Sequence, residues 1–455
     1  MKDAILKEAG ADTTIDALKK LLKGKADAYE IFFTHDRGFS VEAKEGTVDA
    51  LKVRSNTGVG LRTILNKKQG FAFSSVLTDD ALSDLVSKAL SGSLEATEDK
   101  FLSFPEPVRA GVDEEILELF EPSFGKIPEE DKIKAALSIE KSAMAFDSRV
   151  KRVRKASFAE SFHSGRIVNS NGVDATHAAT YYSGSVTAVA EADGESQMGW
   201  EIGMGHGKGA IDPDKIGRGA AGNAVRLLGA QKIKTVKCPA IIENTVACEL
   251  LEALAGSLLG DNVHKGKSML IGKVGQRIAS PSLNIWDDGV LKGGWATSAF
   301  DGEGVAKGRT QLLSEGVCQG YLYDSYWAVR EGVQSTGNAA RSNYKSFPTV
   351  GISNLYIEAG SKSFDELLKD MEKGIFVTEV LGVHTINTVS GDFSLGAAGF
   401  WVEGGKIAYP IRGMAVSGNL LGLFSQVESC GADIRFIGSI GAPSLLINEI
   451  EASGS

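Results

Sequence analysis

The chain carries 54 glycines against only 10 prolines in 455 residues, and this imbalance limits its folding more than any other feature. Glycine supplies positive-φ turns and close backbone approaches, while proline interrupts sheet ladders. A β-rich chain with many short connections is therefore implied. Strand-like runs at 28–34, 39–43, 48–53, 58–65 and 70–74 are separated by turn signals at Glu45-Gly46, Asn56-Thr57-Gly58 and 66–70, which predicts a meander. An amphipathic helix over 14–22 precedes it, with Thr13 or Thr14 placed to cap it and Gly24 to end it. A second helix follows Thr78-Asp79-Asp80, carries Leu82, Leu85, Val86 and Ala89, and stops near Gly92. The order helix, strands, helix predicts an antiparallel sheet with helices on one face.

The next stretch reads as a linker because it holds Pro105, Pro107, Pro122 and Pro128. Pro128-Glu129-Glu130-Asp131 then opens a long helix to about Phe146, with proline and acids where a helix N-terminus favours them. Strands are expected at 150–162, 166–169, 176–190 and 198–204, with a hairpin turn at Asn169-Ser170-Asn171-Gly172. Asp212 and Pro213 open a helix over 212–228, and 235–242 is a short strand. After residue 272 the pattern is mainly strand and turn, interrupted by helical stretches at 325–331 and 363–373. The expectation is an α+β chain. It has an N-terminal α+β subdomain (1–95), a linker (96–128), a second α+β subdomain (129–232) and a β-rich C-terminal domain with few helices (233–455).

A net charge of -9 excludes the general basic footprint of a nucleic-acid binder, and the run Lys151-Arg152-Val153-Arg154-Lys155 reads as one face of a strand. Cys238, Cys248, Cys318 and Cys430 form neither a CxxC motif nor a disulfide framework, which fits a reducing compartment. The opening MKDAILKEAGADTT is charged throughout, and no apolar run approaches the roughly 18–20 residues that span a bilayer. The expected location is the cytoplasm, with no membrane partner.

The stretch most suggestive of chemistry is 249–272, ELLEALAGSLLGDNVHKGKSMLIG. Leu250, Leu251, Leu254 and Leu258 recur at helical spacing, Glu249 and Glu252 stand between them, and the helix reads as ending at Gly260-Asp261. No two of the six histidines lie within ten residues, so HExxH and HxH are both absent. Glu252, Asp261 and His264 would give zinc one nitrogen and two carboxylate donors, an uncommon set. The plainer reading is that Asp261 caps a turn and His264 sits on a surface loop. The glycine-rich 203–209 fails both the Walker A spacing and GxGxxG, and Gly256-Ser257 is not within GxSxG. Four loops pair small and polar residues: Asp287-Asp288-Gly289, Asp301-Gly302-Glu303-Gly304, Ser335-Thr336-Gly337-Asn338 and Ser390-Gly391-Asp392-Phe393. They read as hairpin turns or as loops bordering a cleft.

These loops also carry a resemblance. Ser55–Arg62, Gly70-Phe71-Ala72, the helix at 249–260, Lys265-Gly266-Lys267-Ser268, Asp301–Val305, Thr336-Gly337-Asn338 with Arg341, Gly391-Asp392-Phe393 and Gly418-Asn419 occur in order. In this the chain resembles the TldD/PmbA (TldE) family, known as modulators of DNA gyrase and as metalloprotease components. The resemblance implies an α+β N-terminal part, a β-rich C-terminal domain, and pairing of a TldD-type with a TldE-type subunit. That pair is associated with trimming unfolded or peptide substrates, including a microcin precursor and a plasmid antitoxin.

TldD-type chains carry HExxxH in the helix, the histidines holding the metal and the acid suited to general-base work. Aligning Gly260-Asp261 to the family's Gly-Asp end places Leu251 and Gly256 at the histidines and Glu252 at the acid, so the motif reads LExxxG. The resemblance implies a third ligand from a C-terminal cysteine, and Cys430 lies in roughly that region. Such a chain would hold no metal and no cofactor of its own, zinc residing in a TldD-type partner. It would complete a chamber, bind extended substrate or keep its partner active, with Asp261, His264, Asn338, Arg341 and Asp392 as candidate cleft residues. A homodimer of the isolated chain is left open. Two further readings remain: an autonomous hydrolase built on Glu252, Asp261 and His264, and a non-enzymatic protein-binding modulator of gyrase or of a toxin–antitoxin system.

Overall fold

The computed structural model describes residues 2–107 and 111–454, so 108–110 of the proline-rich linker and the two terminal residues lie outside the described residues. The N-terminal half is built on one six-stranded antiparallel sheet. Its strands are β1 (Ala28–Lys44), β2 (Thr47–Leu65), β3 (Lys68–Ser74), β4 (Val150–Asn169), β5 (Asp174–Ala192) and β6 (Glu195–Gly205), in the order β3-β2-β1-β4-β5-β6. Strands from both sides of the proline-rich stretch meet in this sheet, where β1 pairs with β4 from Glu30↔Asn169 to Ala43↔Ala156. The proline-rich stretch is itself tied down. Phe104 and Pro105 accept hydrogen bonds from Asn171 and Asn169, and Leu119 accepts one from Thr180.

Alternation along the strands sorts the sheet into two faces. Odd-numbered β1 residues and even-numbered β4 residues face helices. Ile31, Phe33, Val59, Leu61 and Val168 pack with α1 (Lys2–Glu8), α2 (Ala11–Leu22) and α3 (Asp79–Glu95). Further along the same face, Phe39, Val41, Phe158 and Tyr182 pack under α4 (Glu129–Phe146) and α5 (Pro213–Arg226). The opposite face turns toward the C-terminal half: Phe32, Ile167, Val173 and Ala175 form a cluster with Tyr344.

The C-terminal half contains two more six-stranded sheets. One curls back on itself, because Lys406–Asn419 and Leu445–Ser453, separated in the sheet order, also pair directly at Ala415↔Ser453 and Val416↔Ala452. Between the sheets lies α6 (Asn244–Ala255), whose Val246, Ala247, Cys248, Leu250, Leu251 and Leu254 belong to the main hydrophobic core.

Several expectations change. The helix expected over 14–22 is α2 and begins earlier, at Ala11 behind Gly10, so Thr14 is a buried interior residue and not a cap. The strands are longer than read. Polar or glycine-containing stretches at 35–38, 54–58 and 163–165 continue the ladder instead of turning it. At Asn56-Thr57-Gly58 the reason is steric: a Cβ on Gly58 would lie 2.2 Å from the Tyr344 ring, and one on Gly60 2.3 Å from the Tyr344 carbonyl oxygen. These glycines admit a neighbour; they do not bend the chain. The helix at 249–260 ends earlier, at Ala255, followed by a 3-10 turn over Gly256–Leu258 and the short α7 (Gly260–His264). The break falls at Leu259, which is extended and bridges to Leu322, and Gly260 follows it where the Tyr323 ring would lie 2.2 Å from a Cβ. No helix among the described residues is long and apolar enough to cross a membrane.

Candidate functional site

The positions aligned with the family's metal ligands sit at the end of α6. Leu251 is fully buried between the two C-terminal sheets. Glu252 lies on the exposed side of the helix. Gly256 offers only its backbone, whose carbonyl accepts a hydrogen bond from Asn262 Nδ2 at 2.8 Å. Cys430 is buried, its Sγ 3.7 Å from the Ser282 carbonyl, and burial pushes its thiol up to about 12. A cysteine ligand must be a thiolate, which such an environment disfavours. A leucine, a glycine and a neutral buried thiol do not form a cation shell. Among the described residues no group of three or more His, Cys, Asp or Glu side chains is arranged to hold a metal ion.

Glu252, Asp261 and His264 are not brought together. The charge of Glu252 acts on Glu249, which burial and then Glu252 and Glu379 push up to about 7. Asp261 bonds Lys265 Nζ at 2.8 Å and leaves one carboxylate oxygen without a partner among the described residues. It borders a cavity of about 330 Å³ with Arg62, Lys265, Glu303, Asp324 and Trp327. Here Asp324, which caps α8 (Ser325–Glu331) through Trp327 N, is pushed up to about 6 by burial and by Glu303. His264 turns outward to Glu331 Oε1 at 2.7 Å, with its ring 5.0 Å from that of Trp327. Asp392 is exposed, and hydrogen bonds from Asn419 and Ser390 hold its carboxyl below the usual range. It borders neither this cavity nor the one described next.

Asn338 and Arg341 do meet, in the wall of a cavity of about 270 Å³ between the N-terminal sheet and the C-terminal loops. Asn338 is buried and donates to Asp287 Oδ2 at 2.7 Å and to the Gly351 carbonyl at 3.0 Å. The Arg341 guanidinium bonds Glu30 and lies 4.8 Å over the Phe32 ring. Glu30 also receives Arg62 Nε at 2.9 Å, and Arg62 Nη2 reaches Glu303 Oε1 at 2.9 Å. Glu30, Arg62, Glu303 and Arg341 thus form a buried ionic cluster joining β1 and β2 to the C-terminal half. Burial alone would raise Glu30, but Arg341 and Arg62 together hold it below the usual carboxylate range.

Sequence reasoning missed Glu30, the Asp36–His163 pair, Asp324 and Lys307. Asp36 and His163 face each other across the β1–β4 ladder, with the His177 ring 5.0 Å from that of His163. Nothing in their local sequence marks them; only strand register does. The glycine-rich 203–209 is no phosphate loop. It ends β6 and places buried His206 between the carbonyls of Thr180 at 2.7 Å and Gly294 at 2.9 Å.

A long-stranded sheet covered by helices on one face and joined through buried charges to a β-rich half defines the class, and comparison identifies the family. Models of the PmbA/TldA metallopeptidase match in three parts: domain 1 at residues 29–93, the central domain at 122–228 and the C-terminal domain at 235–454. The chain is 29% identical over 451 residues to the metalloprotease PmbA of Escherichia coli O157:H7, covering 99% of this chain and 96% of the relative. It is 30% identical to the metalloprotease PmbA homolog of Buchnera aphidicola, covering 97% and 96%. The crystal structure of a Thermotoga maritima protein, a proposed modulator of DNA gyrase, superposes with a TM-score of 0.89 at 28% identity, covering 97% of this chain and 100% of that one. The chain belongs to the PmbA/TldD family.

Proposed function

We propose that this chain is the PmbA/TldE-type subunit of a TldD/TldE-type metallopeptidase, without a metal of its own. In this reading it works in the cytoplasm with a zinc-bearing TldD-type partner on unfolded or extended peptides. The observation that carries the reading is Leu251. Where the family's first histidine would stand, a leucine is sealed in the core, and Gly256 supplies no donor at the second position. A polypeptide acceptor surface is also available. Over 47–58, β2 pairs only with β1 among the described residues, since β3 begins pairing at Val59. An extended peptide can add to such an edge through its backbone, which gives weak sequence selectivity.

Co-purification with metal analysis tests this. The chain alone is expected to carry no stoichiometric zinc and to leave an unfolded peptide intact. Mixed with a TldD-type chain, it is expected to form a stable complex that carries zinc and cleaves the peptide. Stoichiometric zinc and cleavage by the chain alone would overturn the reading, as would recovery of gyrase without any TldD-type chain.

A further inference from the structure

Among the described residues, the cavity between the N-terminal sheet and the C-terminal loops is bordered by residues whose buried donors lack partners. We propose that it binds a carboxylate, and that an extended peptide lying in the neighbouring trough supplies that group with its free C-terminus. The peptide arm rests on the function proposed above; the carboxylate pocket does not.

Three donors border the cavity with capacity to spare. Arg341 has a side chain only 2% exposed, and its Nε finds no acceptor among the described residues. Ser298 Oγ is likewise buried and without a partner among them. Lys307 Nζ spends one proton on the Ala296 carbonyl at 3.0 Å, and an ammonium has three to give. The acceptors nearby are engaged. Asp301 receives the backbone N–H groups of Glu303 and Val305 at 2.9 Å and of Ala339 at 3.0 Å. Asp287 receives Asn338 Nδ2 and Ser353 N, both at 2.7 Å. Thr336 donates to Asn338 Oδ1 at 2.6 Å.

Buried polar atoms rarely stay unsatisfied in native proteins, so the ligand that completes this set brings acceptors. Charge narrows the choice. Burial lowers the Lys307 ammonium while Asp287 and Asp301 beside it favour its charge, and burial raises both of those carboxyls, so this near-neutral set suits a monoanion better than a dianion such as phosphate. Phe32, Phe300 and Ile352 supply apolar wall for a short side chain. Tyr181 borders both this cavity and a trough of about 480 Å³ that contains Gly38, Ser40, Ser161 and Ser183, with Lys52 and Arg54 among its lining residues. The Arg54 side chain lies over Gly38, and Ser40, Ser161 and Ser183 are the small residues beside which an extended backbone would run.

Calorimetric titration of the purified full-length chain tests the pocket, using a pentapeptide as the free acid, the same peptide as the C-terminal amide, and N-acetyl-alanine. Binding of the free acid at least about tenfold tighter than of the amide supports the proposal, since bonds to a charged group are worth about 1.5–3 kcal/mol. Binding of N-acetyl-alanine but neither peptide supports the pocket with a small acid as its source, and removes the peptide arm. Equal binding of acid and amide, or no binding of any probe, overturns it. Ser298→Ala, which leaves no buried partner behind, is expected to weaken the acid several-fold and the amide not at all. Lys307→Met is the second variant, expected to erase the acid's preference. Binding by the chain alone, followed by failure to pair with a TldD-type chain, would leave the pocket standing while the proposed function fell.

Discussion

At Leu251 the competing roles of the α6 terminus make opposite demands on one residue. A core residue tolerates truncation poorly, while a vestigial site residue would tolerate it well. Leu251→Ala is expected to lower stability by about 2–5 kcal/mol in a urea titration, the range for a large-to-small change in a packed core. Glu252→Gln is expected to leave stability nearly unchanged, because the side chain is exposed. Removing its charge should bring Glu249 back down from about 7, which a carboxyl-carbon NMR titration reads directly. Asp324 gives a second test at this scale. It binds its proton more tightly folded, at about 6, than unfolded, near 3.8. Its contribution is therefore fully present below the unfolded value and is lost as pH rises through the folded one. Asp324→Asn can keep the cap on α8 while removing the charge. It is expected to gain on the wild type across pH 4–6, by at most about 2–3 kcal/mol, in denaturation curves taken at each pH.

Among the elements, helices were more legible than strands, and their chemistry explains it. The sequence pattern places the helix at Ser325–Glu331 at its observed bounds, and Pro128 and Asp212-Pro213 mark the starts of α4 and α5. Proline and short polar caps act locally, so a short window of sequence contains them. The long strands are legible only in pieces, because glycine or polar residues interrupt the apolar run. Gly58 is the clearest case: its missing side chain answers to Tyr344, which stands 286 positions further on (344 − 58), so no local window contains the cause. Gly58→Ala is expected to cost about 1–3 kcal/mol through overpacking against that ring. Adding Tyr344→Ala removes the clash, so the double variant should lose less stability than the two single changes summed. That non-additivity in a double-mutant cycle is the signature of direct contact.

Across the whole molecule, the α+β architecture was readable because periodicity and turn signals report on each half separately. The joint between the halves was not readable, since Glu30, Arg62, Glu303 and Arg341 come together only after both halves have formed. Two arginines and two glutamates balance in charge, so the cluster tolerates burial as a set and not in part. Removing one member of a buried ionic group strands the others and costs about 3–5 kcal/mol, whereas replacing a pair by apolar residues of similar volume is often close to neutral. Glu303→Gln leaves an excess positive charge on Arg62 and Arg341 and weakens the bond from Ser325 N to Glu303 Oε2, which is 3.0 Å long. The loss falls on the contact between the halves, because each half retains its own core. Calorimetry of Glu303→Gln is therefore expected to show the N-terminal sheet and the C-terminal half melting as two transitions. Arg62→Met combined with Glu303→Leu should bring them back toward one, despite removing more hydrogen bonds, because the remaining Glu30–Arg341 pair is neutral. Acidification should reproduce the single variant. Glu30 is held below its usual range by Arg341 and Arg62, so its contribution is present above the unfolded value and disappears as pH falls through the folded one. If Glu303→Gln and the wild type at low pH both melt as a single unit, the ionic cluster is not what joins the two halves.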